Sequence, residues 1–255
     1  MIAIAGYPAN TGTGARPAPL APRDALGSVD QLLRDRGALL ARIRAGVELV
    51  PLMRAMVATL AIASAIVGAA LGSYRGGVQI AFAAVKLPLV LLGTAALSAP
   101  ALTAIGVALG RRARMSTDLA LVMSGLAFGS LLLVASTPVL LLFRALDVPY
   151  HDMILATVGI FTIGGAATLR FVSRGVTVDA GPGRGAALLG LCTVFALVGG
   201  QLSWALRPYL VRPRATDIVF VRDVEGSLAD SIATTFASAR GIFNERLESR
   251  GRGFE

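Results

Sequence analysis

The chain has 255 residues but only one cysteine, one histidine, one lysine and one tryptophan. With Cys192 alone no intramolecular disulfide can form, which excludes a disulfide-stapled scaffold and leaves the redox compartment unread. With His151 alone there is no Cys/His pair and no HExxH, so the common metal sites lack donors and no cofactor is expected. Charge is scarce as well: 15% of residues are charged, against about 25% in an ordinary soluble domain. Aromatic residues make up 6%, and acids are outnumbered by bases, 15 to 24, for a net charge of +9. A basic balance often marks a nucleic-acid binder. Here the aromatics are few and the densest basic cluster is Arg111-Arg112-Ala113-Arg114, so nucleic acid is not an expected partner. A disordered chain and a typical cytosolic enzyme are excluded too.

What is present is apolar: 55% of the residues, with a mean hydropathy of +0.71. Of the 24 basic residues 23 are arginine, Lys86 being the exception, and there are 29 glycines. That composition fits a GC-rich bacterial genome at least as well as selection for guanidinium chemistry. The charge is also unevenly placed. Residues 55–206 carry 13 of the 39 charged residues and the flanks carry 26. An apolar middle between charged ends describes an integral membrane protein.

The expected architecture is all-α: a polytopic bundle of about five spans, with an amphipathic helix at each end. Residues 1–27, rich in Gly, Pro and Ala, form a flexible arm without the apolar core of a signal peptide. Residues 28–50 have helical spacing. Val29, Leu32, Leu33, Leu39, Leu40, Ile43 and Val47 make one stripe, and Ser28 with Gln31 makes a capping box. Pro51 ends or kinks that helix. Such a helix either lies in the headgroup interface or docks on the ends of the spans.

Residues 51–206 hold the spans, roughly 55–73, 78–110, 118–142, 152–170 and 185–206. The second is overlong for a hydrocarbon core of about 30 Å, so it tilts or breaks, with Pro88 and Pro100 as the break points. Residues 207–255 form a tail with a β-like run at 217–221 and an amphipathic helix at 227–248. Leu228, Ile232, Phe236, Phe243 and Leu247 form its stripe, suited to lipid or a partner. Arg111, Arg112, Arg114, Arg170, Arg174 and Arg184 fall on one side, while Arg75 and Arg144 fall on the other. The positive-inside rule puts the first group, and with it the N-terminus, in the cytoplasm.

Lys86 is the candidate intramembrane polar site, with Gln201 in the polar margin of the last span. An ionisable residue inside a span is costly and is a functional hypothesis by default; the alternative is a lysine that snorkels to the interface. Asp147 and Asp152 lie on the same side as conceivable partners. His151 between those carboxylates reads as a loop cap rather than a metal ligand. Asp179–Gly185 resembles a phosphate loop but lacks the Lys-Ser/Thr ending, and reads as a linker. Small residues at four-residue spacing suit close helix packing: Ser64, Gly68 and Gly72; Gly106 and Gly110; Gly125 and Gly129. Trp204, Arg207 and Tyr209 suit an interfacial anchor.

The run Lys86-Leu87-Pro88, Pro138 late in the third span, and Gln201-Leu-Ser-Trp204-Ala-Leu-Arg207-Pro208 followed by Arg222 to Gly226 resemble a group of bacterial multi-span membrane proteins. Through that group the chain is distantly similar to the five-span Yip family, although the Asp-Leu-x-Gly-Pro signature is absent. The resemblance implies an all-helical, non-enzymatic membrane protein. No nucleophile, acid–base pair or ligand set points to catalysis. The expected role is a scaffold or accessory subunit of a membrane complex in the bacterial inner membrane, partnered by the bilayer and by other subunits or itself. A small transporter or channel centred on Lys86 is the alternative.

Overall fold

Inside a bilayer a backbone N–H or C=O has no water to bond, so a long apolar run satisfies itself by becoming helix. The computed structural model describes residues 25–108, 114–176 and 184–206, and every element among them is a helix. In order these are α1 (Ala25–Arg34), α2 (Arg36–Ala45), α3 (Leu49–Gly72), α4 (Val78–Ala108), α5 (Met115–Ala135), α6 (Thr137–Ala145), α7 (Tyr150–Val176) and α8 (Arg184–Ala205). Among the described residues four stretches are long and apolar enough to cross a membrane: α3, α4, the α5–α6 stretch Met115–Ala145, and Asp152–Val176 within α7. The apolar run in α8, Leu188–Ser203, is shorter. Of the arm expected at 1–27, residues 25–27 begin α1 and 1–24 lie outside the described residues, as do the run at 217–221 and the helix at 227–248 with Leu228, Ile232, Phe236, Phe243 and Leu247.

Three expectations need correction. The second apolar segment is not broken: α4 continues through Pro88 and Pro100. Each proline removes one hydrogen bond, but abandoning the helix would strand several backbone groups, and neighbouring helices hold the rod together. The third segment, in contrast, steps at Ser136, with Pro138 in the first turn of α6. There the Ser136 hydroxyl donates to the Leu132 carbonyl at 3.1 Å and the Thr137 hydroxyl to the Leu133 carbonyl at 3.4 Å.

The third correction concerns the helix expected at 28–50, which is two helices and an elbow. Asp35 ends one and caps the other, its carboxylate accepting from the Ala38 N–H at 2.9 Å. Ser28 is therefore inside α1 and buried, not at its cap. Gly46 closes α2 in the left-handed region at φ 70°, with Val47 N–H reaching back to the Arg42 carbonyl, which is Schellman geometry. Pro51 stops nothing. It sits in the first turn of α3, where its missing N–H has no partner to lose.

Packing follows from small residues. A Cβ on Gly68 would strike the backbone of Ala83, and one on Gly72 the backbone of Gln79 and Ile80, so α3 and α4 meet backbone to backbone. Gly125 and Gly129 on α5 face Val172, Thr168 and Gly164 on α7 in the same way, and the Thr168 hydroxyl bonds the Gly125 carbonyl at 3.1 Å. Over half of the apolar window of α3 is buried (56%) against 17% for α7, so α3 is central and α7 peripheral. α1 and α2 do not lie free. Leu32, Leu39, Leu40 and Ile43 enter the same core as Leu52, Met56 and Leu60 of α3. Leu33 and Val47, from the same sequence stripe, stay exposed.

Candidate functional site

Two features carry chemistry, and both grow from this packing. The first is a row of polar side chains on the inner side of α4. Gln79, Lys86, Thr94 and Ser98 are all buried, with Lys86, Gln79 and Ser98 at 0% exposure. Lys86 therefore does not snorkel to the surface. It lies eight residues after Val78, about 12 Å along the helix, enclosed by protein. Asp147 and Asp152 are exposed and form no ion pair with it. Ser64 on α3 is also buried, its hydroxyl donating to the Leu60 carbonyl at 2.6 Å.

At the other end of the row Thr103 Oγ1 lies 2.8 Å from Asp118 Oδ2, and Asp118 is only 1% exposed. This buried carboxylate was not anticipated. Its position at the very start of an apolar run reads as a flank, and nothing nearby in sequence announces Thr103, fifteen residues earlier. The contact also fixes the antiparallel register of α4 and α5, which sets Ser124 level with residues 97 and 98. The hydroxyls of Thr94, Ser98 and Ser124 are buried and accept or donate no hydrogen bond among the described residues. Each such group costs about 1–3 kcal/mol, so the row is not what stabilises the bundle.

Leu202 lies against Gly93 and Thr94 against Gly199, so Gln201 sits level with Thr94, about two turns from Lys86, and it is exposed. Gly106 is buried on α4, while Gly110 lies outside the described residues. Trp204 is in the last turn of α8, and Arg207 and Tyr209 lie beyond the described residues. His151 is in the first turn of α7. No group of three metal-ligating side chains occurs among the described residues.

The second feature is at the opposite end from the α3–α4 turn. A groove of about 510 Å³ is lined by Arg36, Gly37 and Leu40 of α2, Phe128 and Leu132 of α5, and Ala167, Arg170, Phe171 and Arg174 of α7. The Arg36 guanidinium lies 4.5 Å over the Phe128 ring, a cation–π arrangement. Arg44 donates to the Arg174 carbonyl at 3.3 Å, tethering α2 across the end of α7. Behind it Arg42 is buried at 6% exposure. It donates to the carbonyls of Val47 and Glu48, approaches Ser28 Oγ at 3.5 Å and pairs with the Glu48 carboxylate at 3.7 Å. Burial pulls the Arg42 pKa down, and the Glu48 charge opposes that shift. No sequence spacing announces this groove, because its walls come from residues more than a hundred positions apart.

Compared with family models, with curated proteins and with solved structures, the chain finds no match in any of the three.

Proposed function

We propose that this chain is an integral scaffold or accessory subunit that organises or anchors a larger complex in the bacterial inner membrane, with no catalysis of its own. In this reading the N-terminus is cytoplasmic and α8 completes five spans, in keeping with the resemblance to five-span Yip-like proteins. The observation that carries it is the outer face of α7. Gly125, Gly129, Gly164 and Gly175 are used up in contacts within the chain, whereas Cβ atoms on Gly159 and Gly165 would meet nothing. Together with exposed Thr162 and Ala166 they leave α7 a small-residue face turned outward. Close approach by a second transmembrane helix is what such a face serves.

The buried row from Lys86 to Asp118 favours a second reading, a small transporter or channel. Ionisable side chains enclosed in a bundle mark ion or substrate paths. The continuity of α4 removes the broken-helix argument for that reading, and the row remains its support.

One set of variants separates the two. Gly159→Leu with Gly165→Leu should release copurifying membrane subunits, or convert an oligomer to a monomer, while the melting temperature in mild detergent is unchanged. Lys86→Leu should leave that assembly intact. A wild-type chain that always runs as a lone monomer would count against the scaffold. Flux in proteoliposomes that Lys86→Leu abolishes without unfolding would establish the transporter instead.

A further inference from the structure

The groove at the basic end has a polar rim and an apolar floor, and its depth coincides with a membrane boundary. Arg170 follows Tyr150 by twenty residues, about 30 Å along α7, which is the thickness of a hydrocarbon core. Tyr74 at the end of α3 bonds the Val148 carbonyl at 3.2 Å, so the α3–α4 and α6–α7 turns share the far end. Arg75 and Arg144 mark that level. Arg170 and Arg174 therefore stand at the opposite headgroup layer. Leu132 lies one turn further than Phe128 along α5, and Ala167 about 10 Å from Arg174 along α7, so the floor runs inward to acyl depth.

Among the described residues the charges in the groove are all of one sign: Arg36, Arg170 and Arg174 line it, with no carboxylate among those walls. The guanidinium groups of Arg36 and Arg170 make no hydrogen bond or ion pair among the described residues, unlike Arg34 and Arg42, which have Asp30 and Glu48. The contact of Arg36 with the Phe128 ring face uses none of its N–H donors, which stay available to an anion. The volume falls within the range of small-molecule sites, about 300–1,000 Å³. Five of the nine wall residues are apolar (Leu40, Phe128, Leu132, Ala167 and Phe171), which a free hydrophilic anion would leave uncovered.

We propose that this groove binds one anionic phospholipid, with its phosphate held by Arg36, Arg170 and Arg174 and an acyl chain laid along Phe128, Leu132 and Ala167. Basic pockets between transmembrane helices recognise lipid headgroups by this chemistry. A second cationic group, such as choline, is repelled by the same three arginines. α2 forms one wall of the site, so the lipid joins the N-terminal elbow to the bundle. The inference holds whether the chain is a scaffold or a transporter.

The test uses the full-length protein in mild detergent, titrated with dioleoylphosphatidylglycerol, dioleoylphosphatidylcholine or inorganic phosphate. Binding is read by native mass spectrometry and by the thermal midpoint. Phosphatidylglycerol should bind one to one and raise the midpoint, with phosphatidylcholine at least about tenfold weaker and phosphate unable to displace it. The Arg36→Gln/Arg170→Gln variant should lose at least about tenfold in phosphatidylglycerol affinity. Removing the same charge elsewhere, in Arg114→Gln/Arg144→Gln, should not. Ala167→Leu, which fills the floor and keeps all three arginines, should also lose the lipid, and it serves if the arginine variant fails to fold. Equal binding of the two lipids, equal loss in the control variant, or displacement by phosphate (a free-anion site) would each overturn the proposal.

Discussion

At position 68 a hydrogen atom is the whole side chain, and the carbonyl of Ala83 occupies the space a methyl group would need. Lipid tails are as apolar as leucine, so nothing squeezes these helices together except packing and hydrogen bonds. Losing the α3–α4 contact therefore has no compensation. Gly68→Leu should lower stability by about 3 kcal/mol or more, within the range of severe overpacking. Gly165, with open space at its Cβ, is the counterexample. Gly165→Ala should be neutral, or stabilising by up to about 1 kcal/mol through helix propensity. Thermal unfolding of the two variants in the same detergent checks both, and equal destabilisation would show that the backbone approach at Gly68 is not limiting. In the sequence these two glycines look alike. Only the partner helix tells them apart.

Elements behave according to what their neighbours supply. The α1–α2 elbow is held by Arg42, whose buried guanidinium bonds two carbonyls of the turn that leads into α3. One of those carbonyls belongs to Glu48, which sits in the left-handed region at φ 49°. A residue other than glycine there costs of order 1–3 kcal/mol, and the Arg42 contacts offset part of it. Arg42→Met should thus remove about 1–3 kcal/mol, because it strips two half-buried hydrogen bonds from that turn. Glu48→Gln should cost under about 1 kcal/mol, since an exposed ion pair at 3.7 Å contributes little. Chemical denaturation followed by tryptophan-independent circular dichroism separates the two, and similar losses would mean the ion pair, not the carbonyl bonds, holds the elbow. The positions of α3, α7 and α8 were legible in the sequence, since an uninterrupted apolar run has one solution in lipid. The break at Asp35 was not, because Leu39 and Leu40 resume the apolar stripe in helical phase, two turns after Leu32 and Leu33. Nor was the continuity of α4, because Pro88 and Pro100 carry a stop signal calibrated on water-exposed helices. The groove and the Thr103–Asp118 pair are tertiary facts with no local trace.

At the scale of the bundle, Arg75 and Arg144 among the described residues lie toward one end and Arg36, Arg44, Arg170 and Arg174 toward the other. The Arg44–Arg174 tether and the Tyr74–Val148 bond assign α2 and the α3–α4 turn to opposite ends. In a background with Cys192→Ser, single cysteines replacing Arg144 and Arg174 should therefore label from opposite faces of intact cells. With the proposed orientation, position 144 reacts with a membrane-impermeant maleimide and position 174 reacts only after lysis. Labelling of both before lysis would contradict the layering. The glycine-lined contact of α3 with α4 has a further consequence, for how the protein is made. These two helices are consecutive and joined by a short turn, so they can pair as soon as both have left the ribosome. The Tyr74–Val148 bond spans 74 residues of chain, about 4–15 s of further synthesis at 5–20 residues per second. During that interval the hairpin waits in the membrane with the polar side chains of α4 that meet α8 and α5, Thr94 and Thr103, not yet covered. A translocon or insertase that shields a half-finished polar face is thus a requirement this fold places on the cell.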